Sequence, residues 1–355
     1  MERFLAIYRA CALFFFTCCL YGLVLALFWF GGKKIAGWAF RTNPVTAKYG
    51  KVLERAYPGF TTAEIHELLD ETWSRPLASE RFTGFKERPF SGKYIHVDPR
   101  GFRLVKNQGP WPPAPGDDVV FVFGGSTVFG YGLPDDMTIP SFLQERLAKS
   151  HPGHAPWVYN FGRGYFAISR ERILFEELLV EGYIPKTAVF IDGVNEFTAE
   201  PDFARRAAAC LERQDWAAEG FKVTGTPSPS PLPPVPAVRA EEAVARYLAC
   251  RRVLEGVAKA YGVRILFVWQ PMPYYEYDTT ASPWYVGAPW GFPAAPSGYA
   301  MIHERLPELR EDFLWAADIQ KGLHEPLYVD GIHYGEKLSR LVANAVGDAL
   351  DKPGV

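Results

Sequence analysis

The residues most able to do chemistry are spread over more than two hundred positions. The stretch Val119 to Gly132, VVFVFGGSTVFGYG, opens with five apolar residues and then breaks at Gly124-Gly125, followed by Ser126. A short, continuous apolar run with β-branched and aromatic content reads as a buried strand. Its end places a hydroxyl at the carboxyl edge of a sheet, where open α/β proteins keep their sites. Three later segments end in the same manner: Asn160-Phe161-Gly162, Asp192-Gly193-Val194-Asn195 and Asp330-Gly331-Ile332-His333. Together they would bring a hydroxyl, an amide, a carboxylate and an imidazole to one edge. A serine hydroxyl is a poor nucleophile until a neighbouring base takes its proton. His333 is the candidate base. Asp330, three residues earlier, is placed to accept the other ring N–H. Taken singly, Gly124-Gly125-Ser126 reads as a turn, Gly162 as a turn glycine, Asn195 as a loop cap, and Asp-x-x-His as half of a metal site lacking a third ligand.

The elements that must position these groups follow an alternating pattern. Strands are expected at 119–123, 157–161, 188–191, 264–269 and 327–329. Helices are expected near 138–149, 167–182, 202–216, 239–261, 301–319 and 335–350. Strands alternating with helices predict a parallel sheet covered on both faces. Upstream, Thr61 to Ser74 has the capping residue and apolar spacing of a short amphipathic helix. Residues 82–103 are too rich in Gly, Pro and charge for a helix and read as extended segments and turns. A Pro-rich linker, 108–118, ends where the central strand begins, and a second Pro-rich stretch, 224–238, reads as an exposed insertion.

Charge is nearly balanced, 38 Lys+Arg against 40 Asp+Glu, and no basic stripe appears, so nucleic acid is not an expected partner. No cofactor and no metal is expected. Between Arg9 and Lys33 lie 23 consecutive uncharged residues, enough to span a bilayer. The stretch is longer than the apolar core of a cleaved signal and lacks a convincing small-x-small site, so residues 1–34 read as a transmembrane anchor. A Lys/Arg count alone would place the following domain in the cytoplasm, whereas large domains translocate regardless of such charges. Cys210 and Cys250 bracket the Pro-rich insertion; they are either a disulfide or two buried thiols. The chain holds 10 Trp, 18 Tyr and 26 Phe. The aromatic loop 271–297, with Trp284, Tyr285 and Trp290, is either packing or a wall for a sugar substrate.

The four blocks, in this order, resemble the SGNH (GDSL-type) hydrolase superfamily. Ser126 in GGST, Gly162 in NFG, Asn195 in GVNE and Asp330/His333 in DGIH match its serine, glycine, asparagine and Asp-x-x-His blocks over about 119–350. The first block is GGST in place of Gly-Asp-Ser, and Glu196 stands where many members carry Asp. The resemblance extends to a membrane-anchored bacterial branch through the PFSGKY segment and Gly101-Phe102-Arg103. It implies a three-layer αβα, flavodoxin-like parallel sheet at 119–351, preceded by an extracytoplasmic extension, 35–118, and the anchor. It implies Ser126, His333 and Asp330 as catalytic residues. The oxyanion hole would be made by the N–H groups of Ser126 and Gly162 and the Asn195 amide. The expected activity is that of a serine esterase or O-acyltransferase on O-acyl, especially O-acetyl, esters of cell-surface polysaccharide. The expected place is the periplasmic face of a bacterial inner membrane, with envelope proteins as partners. The alternative is a non-catalytic scaffold of an envelope assembly that retains the fold.

Overall fold

The computed structural model describes residues 50–73, 75, 77–114, 116–198, 238–282, 292–309 and 312–352, with a few positions near the amino terminus. The anchor as a whole, the 202–216 helix, the 224–238 insertion apart from its last residue, Cys210 and the aromatic residues Trp284, Tyr285 and Trp290 lie outside the described residues. Among those described, no helix is long and apolar enough to cross a membrane. Residues 49–355 form one compact unit, so the described residues between 50 and 118 pack with the sheet and do not stand apart from it.

In that extension the helix Thr62–Trp73 forms as expected. Two small antiparallel pairs follow: β1 (Leu77–Glu80) with β2 (Gly84–Glu87), and β3 (Phe90–Ser91) with β4 (His96–Val97). Arg103 makes bridges to both Val97 and Asn160, and so joins the second pair to the main sheet.

The main sheet has five parallel strands: β5 (Val119–Gly124), β6 (Trp157–Asn160), β7 (Thr187–Asp192), β8 (Arg264–Trp269) and β9 (Phe313–Trp315), in the order β6-β5-β7-β8-β9. Counting parallel strands from the first, this is the 2-1-3-4-5 flavodoxin order. Successive side chains of a strand face opposite ways, and here the two faces differ in kind. One carries Phe121, Phe123, Phe190, Phe267 and Trp269, covered by the helices Ile168–Val180 and Ala240–Tyr261. The other carries Val120, Val122, Val189, Ile191, Leu266 and Val268, covered by the helices Ile139–Ser150 and Glu336–Leu350. On the aromatic face the rings of Phe161, Phe123, Phe190 and Phe267 stack in a ladder across the strands, with centroids 5.6, 4.8 and 5.7 Å apart.

The edge strand differs from the expectation. The sequence predicts a helix over 301–319 and a last strand at 327–329. The helix instead runs Ala295–Glu304, Pro307 sits in the short helical turn that follows, and Phe313–Trp315 pairs with β8. Proline removes a helical donor and disfavours helix in the residue before it, while Phe-Leu-Trp suits a pleated edge. Leu327–Val329 joins no strand of the sheet; Tyr328 makes only an isolated bridge to Tyr334. That bridge closes the turn carrying Asp330 and His333.

The Phe ladder makes a stability prediction. Phe190→Ala should lower the unfolding free energy by about 3–5 kcal/mol, the usual cost of emptying an aromatic site in a packed core. Trp157→Ala, at a strand end that is 36% exposed, should cost well under half of that. Chemical denaturation of the two variants compares them, and equal losses would mean the ladder is not the core.

Candidate active site

In this strand order the chain reverses direction across the sheet between β5 and β7, and the crevice at their carboxyl ends is the topological switch point. Gly124, the last residue of β5, pairs in register with Ile191 of β7. Ser126 follows the first of these strands and Asn195 the second. The approach is close enough to require glycine: a Cβ on Gly125 would overlap the Asn195 side-chain amide. Ser126 then heads a four-residue helical turn, Ser126–Phe129.

The Asp330–His333 turn delivers the other two groups. The Asp330 Oδ1 accepts the backbone N–H groups of Ile332 and His333, both at 2.8 Å. Val329 N–H donates to His333 O at 2.9 Å and Gly335 N–H to Leu327 O at 2.7 Å, which close the stem. The remaining carboxylate oxygen, Oδ2, lies 2.7 Å from His333 Nδ1, and His333 Nε2 lies 2.9 Å from Ser126 Oγ. With Nδ1–H donating to the carboxylate, Nε2 is the acceptor and the Ser126 hydroxyl donates to it. Burial by itself would raise the Asp330 carboxyl; the charge and hydrogen bond of His333 and the two backbone donors outweigh it and hold the carboxyl below its ordinary range. The three side chains thus form one line of hydrogen bonds, and its Ser126–His333 link joins residues 207 positions apart in sequence.

Aromatic rings fix the imidazole. Tyr131 stacks on it with centroids 5.5 Å apart and planes at 29°, and Trp73 meets it at 5.5 Å and 64°. The Tyr131 hydroxyl donates to Glu87 Oε1 at 2.8 Å, and Glu87 Oε2 pairs with Arg75 at 2.9 Å; both members of that ion pair are at most 2% exposed. Gly164 N–H also donates to Glu87 Oε1, at 3.1 Å. Burial, then the neighbouring Glu87 charge, pushes the Tyr131 phenol well up, so it stays a donor. Sequence reasoning misses Trp73, Arg75, Glu87 and Tyr131. Their contacts are long-range, and no local spacing announces them.

The expected oxyanion donors are placed unequally. Asn195 Nδ2 donates to Phe166 O at 2.7 Å, beside Gly125. Gly162 lies in the same loop system, but its N–H donates to the Asn160 side-chain oxygen at 3.0 Å. The Ser126 N–H has no acceptor among the described residues. Cys250 is a half-buried free thiol, pushed up by burial and by the nearby Glu196 charge. Among the described residues no cluster of three His, Cys, Asp or Glu side chains is suited to a metal ion.

Beneath Asn195 the structure buries three carboxyl groups together: Glu171, Asp192 and Glu196. Glu196 Oε1 accepts the Ile168 N–H at 2.8 Å and so caps the helix that follows. Desolvation, then the Glu196 charge, pushes Glu171 well above the ordinary carboxyl range; desolvation, then Glu171 and Glu196, does the same to Asp192. The Tyr247 hydroxyl and Arg251 lie close enough to share the cluster's field. Burial and mutual repulsion therefore favour the protonated forms of Glu171 and Asp192.

Fold and site together define a class: a flavodoxin-ordered α/β protein with a serine, histidine and aspartate in line at its switch point. No family model and no curated protein matches the chain. Solved structures similar to it include a carbohydrate acetylesterase family member from Sinorhizobium meliloti, at 14% identity and TM-score 0.40, covering 66% of this chain and 97% of that one. A catalytic variant of an acetylxylan esterase from Geobacillus stearothermophilus aligns at 14% identity and TM-score 0.39, over 67% and 96% of the two chains. A member of the lipolytic G-D-S-L family from Veillonella parvula aligns at 10% identity and TM-score 0.38, over 64% and 96%. At these values the chemistry of the present chain rests on its own geometry.

The carboxyl cluster sets a pH dependence of stability. A carboxyl that keeps its proton to higher pH when folded makes the folded state bind more protons than the unfolded chain. Its contribution is full below the unfolded carboxyl range, near pH ~4, and is lost as pH rises through the folded value. Asp330 works in the opposite sense, present above that range and lost as pH falls. Stability should therefore decline over the interval in which pH rises from the ordinary carboxyl range through the raised folded values, and Glu171→Gln should flatten the decline. Denaturation midpoints across that interval decide it; an unchanged slope in the variant would remove the cluster as its source.

Proposed function

We propose that this chain is a serine-dependent ester hydrolase or O-acyltransferase of SGNH type. The observation that carries the reading is the line Ser126 Oγ, His333 Nε2 at 2.9 Å, His333 Nδ1, Asp330 Oδ2 at 2.7 Å. Such a line can move a proton off the hydroxyl as it attacks a carbonyl carbon. In the proposed reaction Ser126 Oγ adds to the ester carbonyl and its proton passes to His333. Asp330 stabilises the imidazolium formed. The developing oxyanion faces the Ser126 N–H and the Asn195 amide. Collapse expels the alcohol, which leaves with the proton from His333, and the acyl group stays on Ser126. Water, or a second hydroxyl, then attacks the acyl-serine with His333 as base, giving hydrolysis or transfer; the first half-reaction is common to both.

We further propose the finer reading: O-acetyl esters of cell-surface polysaccharide, worked on at the periplasmic face of an inner membrane by a chain held through its first 34 residues. Its support is the 23-residue uncharged stretch and the resemblance of the blocks.

Two measurements test the nucleophile: a fluorophosphonate label, and the burst of p-nitrophenolate from p-nitrophenyl acetate. Wild type should label at Ser126 and show a burst. Ser126→Ala should lose the label and lower turnover by about 10⁴-fold or more. Asp330→Asn should retain labelling but slow it by several orders of magnitude, because the imidazole loses its orienting acceptor. Labelling of Ser126→Ala equal to wild type would overturn the assignment of the nucleophile.

A further inference from the structure

Among the described residues, the imidazole of His333 has one aromatic neighbour that is buried and one that is not. Tyr131 is buried and its hydroxyl is committed to Glu87. Trp73 comes from the extension upstream of the sheet, as the last residue of the helix Thr62–Trp73. That helix buries Ile65, Leu68 and Leu69, yet leaves Trp73 41% exposed. The indole nevertheless contacts both His333 and Tyr131, the latter with centroids 5.2 Å apart and planes at 88°.

Isolated surface aromatics are ordinary. This one is held. Two residues before it, the Glu71 carboxylate accepts the backbone N–H groups of Lys93, Tyr94 and Ile95 at 2.7, 2.9 and 3.1 Å. Two residues after it, Arg75 donates Nε to Glu71 O at 2.9 Å and pairs with the buried Glu87. The main chain on each side of Trp73 is therefore pinned, and its ring rests against two others. The result is a pre-positioned, partly exposed indole against the imidazole that reaches Ser126. A large rigid ring with a wide apolar face binds another flat surface with little loss of conformational freedom. The C–H face of a pyranose is such a surface and a flexible alkyl chain is not.

We propose that Trp73 determines specificity, and that the alcohol portion of the substrate is a pyranose sugar whose ring packs on Trp73 while its acyl carbonyl meets Ser126. The proposal rests on the reading of Ser126 as an ester-cleaving nucleophile. It also gives the upstream extension a part in catalysis: the extension supplies a wall of the site.

Acetate release by the full-length protein is measured from peracetylated methyl β-glucopyranoside and from n-butyl acetate in one assay. Wild type should favour the sugar ester. Trp73→Ala should lower kcat/KM on the sugar ester by about tenfold more than on butyl acetate, mainly through KM. Trp73→Phe, which keeps a ring, should recover part of the difference and guards against a folding defect. Equal losses on both esters would mean the indole only steadies His333, and no loss on either would mean it touches nothing that reacts; each overturns the proposal. Fluorophosphonate labelling of wild type separates the two levels. Unlabelled wild type sinks the Ser126 reading and this one with it, whereas labelled wild type with an unchanged substrate ratio sinks the Trp73 assignment alone.

Discussion

The chain between Ser126 and the helix Ile139–Ser150 has little regular structure, and one guanidinium keeps it in place. Arg103 is fully buried. Its Nη1 donates to Phe129 O at 2.9 Å and to Gly130 O at 2.7 Å, its Nη2 to Leu133 O at 2.6 Å, and its Nε to Asp135 at 2.8 Å. Buried carbonyls without a helix or sheet partner need a donor from elsewhere, and a guanidinium offers about five in one plane. The Arg103 main chain meanwhile donates to Asn160 O at 3.1 Å. A single residue thus ties the loop behind the nucleophile to the end of the neighbouring strand. Asp135 balances the charge and also accepts the His96 N–H at 3.2 Å, which draws in the upstream hairpin. The position of Phe129 and Tyr131 follows from this clamp, and the position of the His333 ring follows from Tyr131.

Glu87 is the second fixed point. It faces Arg75, Tyr131 and the Gly164 N–H at once. A buried ion pair of this kind adds little net stability, since desolvation offsets most of its attraction. Its effect is geometric: three segments distant in sequence can satisfy one carboxylate only in one arrangement. The carboxyls of this protein show how environment decides charge. Asp330 meets an imidazole and two N–H donors and is held ionised. Glu171 and Asp192 are desolvated and face other carboxyl groups, which pushes both up. The same fold thus holds one carboxyl down beside Ser126 and pushes two others up under the Asn195 loop.

What the sequence made legible was local. The apolar run 119–123, the glycine break after it and the Asp-x-x-His turn are each written within about a dozen residues. Strand and helix alternation follows from period, and the first four strands of the sheet, β5 to β8, lie within a residue or two of where the pattern puts them. The edge strand does not, because Phe313–Trp315 is short and half-buried, and three residues carry no period. The Leu327–Val329 run resembles a strand because it is apolar, yet it is the stem of a turn. Arg103, Glu87 and Trp73 are invisible as working residues for a different reason. Apart from Arg75, 12 positions from Glu87, their side-chain partners lie 26 or more positions away, and a charged residue ordinarily reads as solvated surface.

The donors near Ser126 are not equivalent, and the difference bears on how an oxyanion would be held. A primary amide carries two hydrogens on Nδ2, so the bond from Asn195 to Phe166 O fixes the plane of the amide and leaves the second hydrogen available. The single hydrogen of Gly162 is already given to Asn160 Oδ1, and Asn160 Nδ2 in turn donates to Val128 O at 3.0 Å, in the turn that Ser126 heads. Gly162 would face an oxyanion by sharing that hydrogen with Asn160 or by releasing Asn160, which would loosen the chain just after Ser126. A donor that must first break a bond contributes less than one already aimed, because the advantage of a fixed dipole is that nothing has to reorganise when charge appears. For the proposed reaction, the Ser126 N–H and the Asn195 amide are the expected donors that keep a hydrogen uncommitted in the resting geometry, and Gly162 is the one already engaged. Gly162 serves the site in another way. Lacking a Cβ, it lets the Phe129 backbone approach so closely that a side chain there would overlap it. The glycine block and the serine block are then joined by packing and by Asn160, whichever donor the carbonyl oxygen meets.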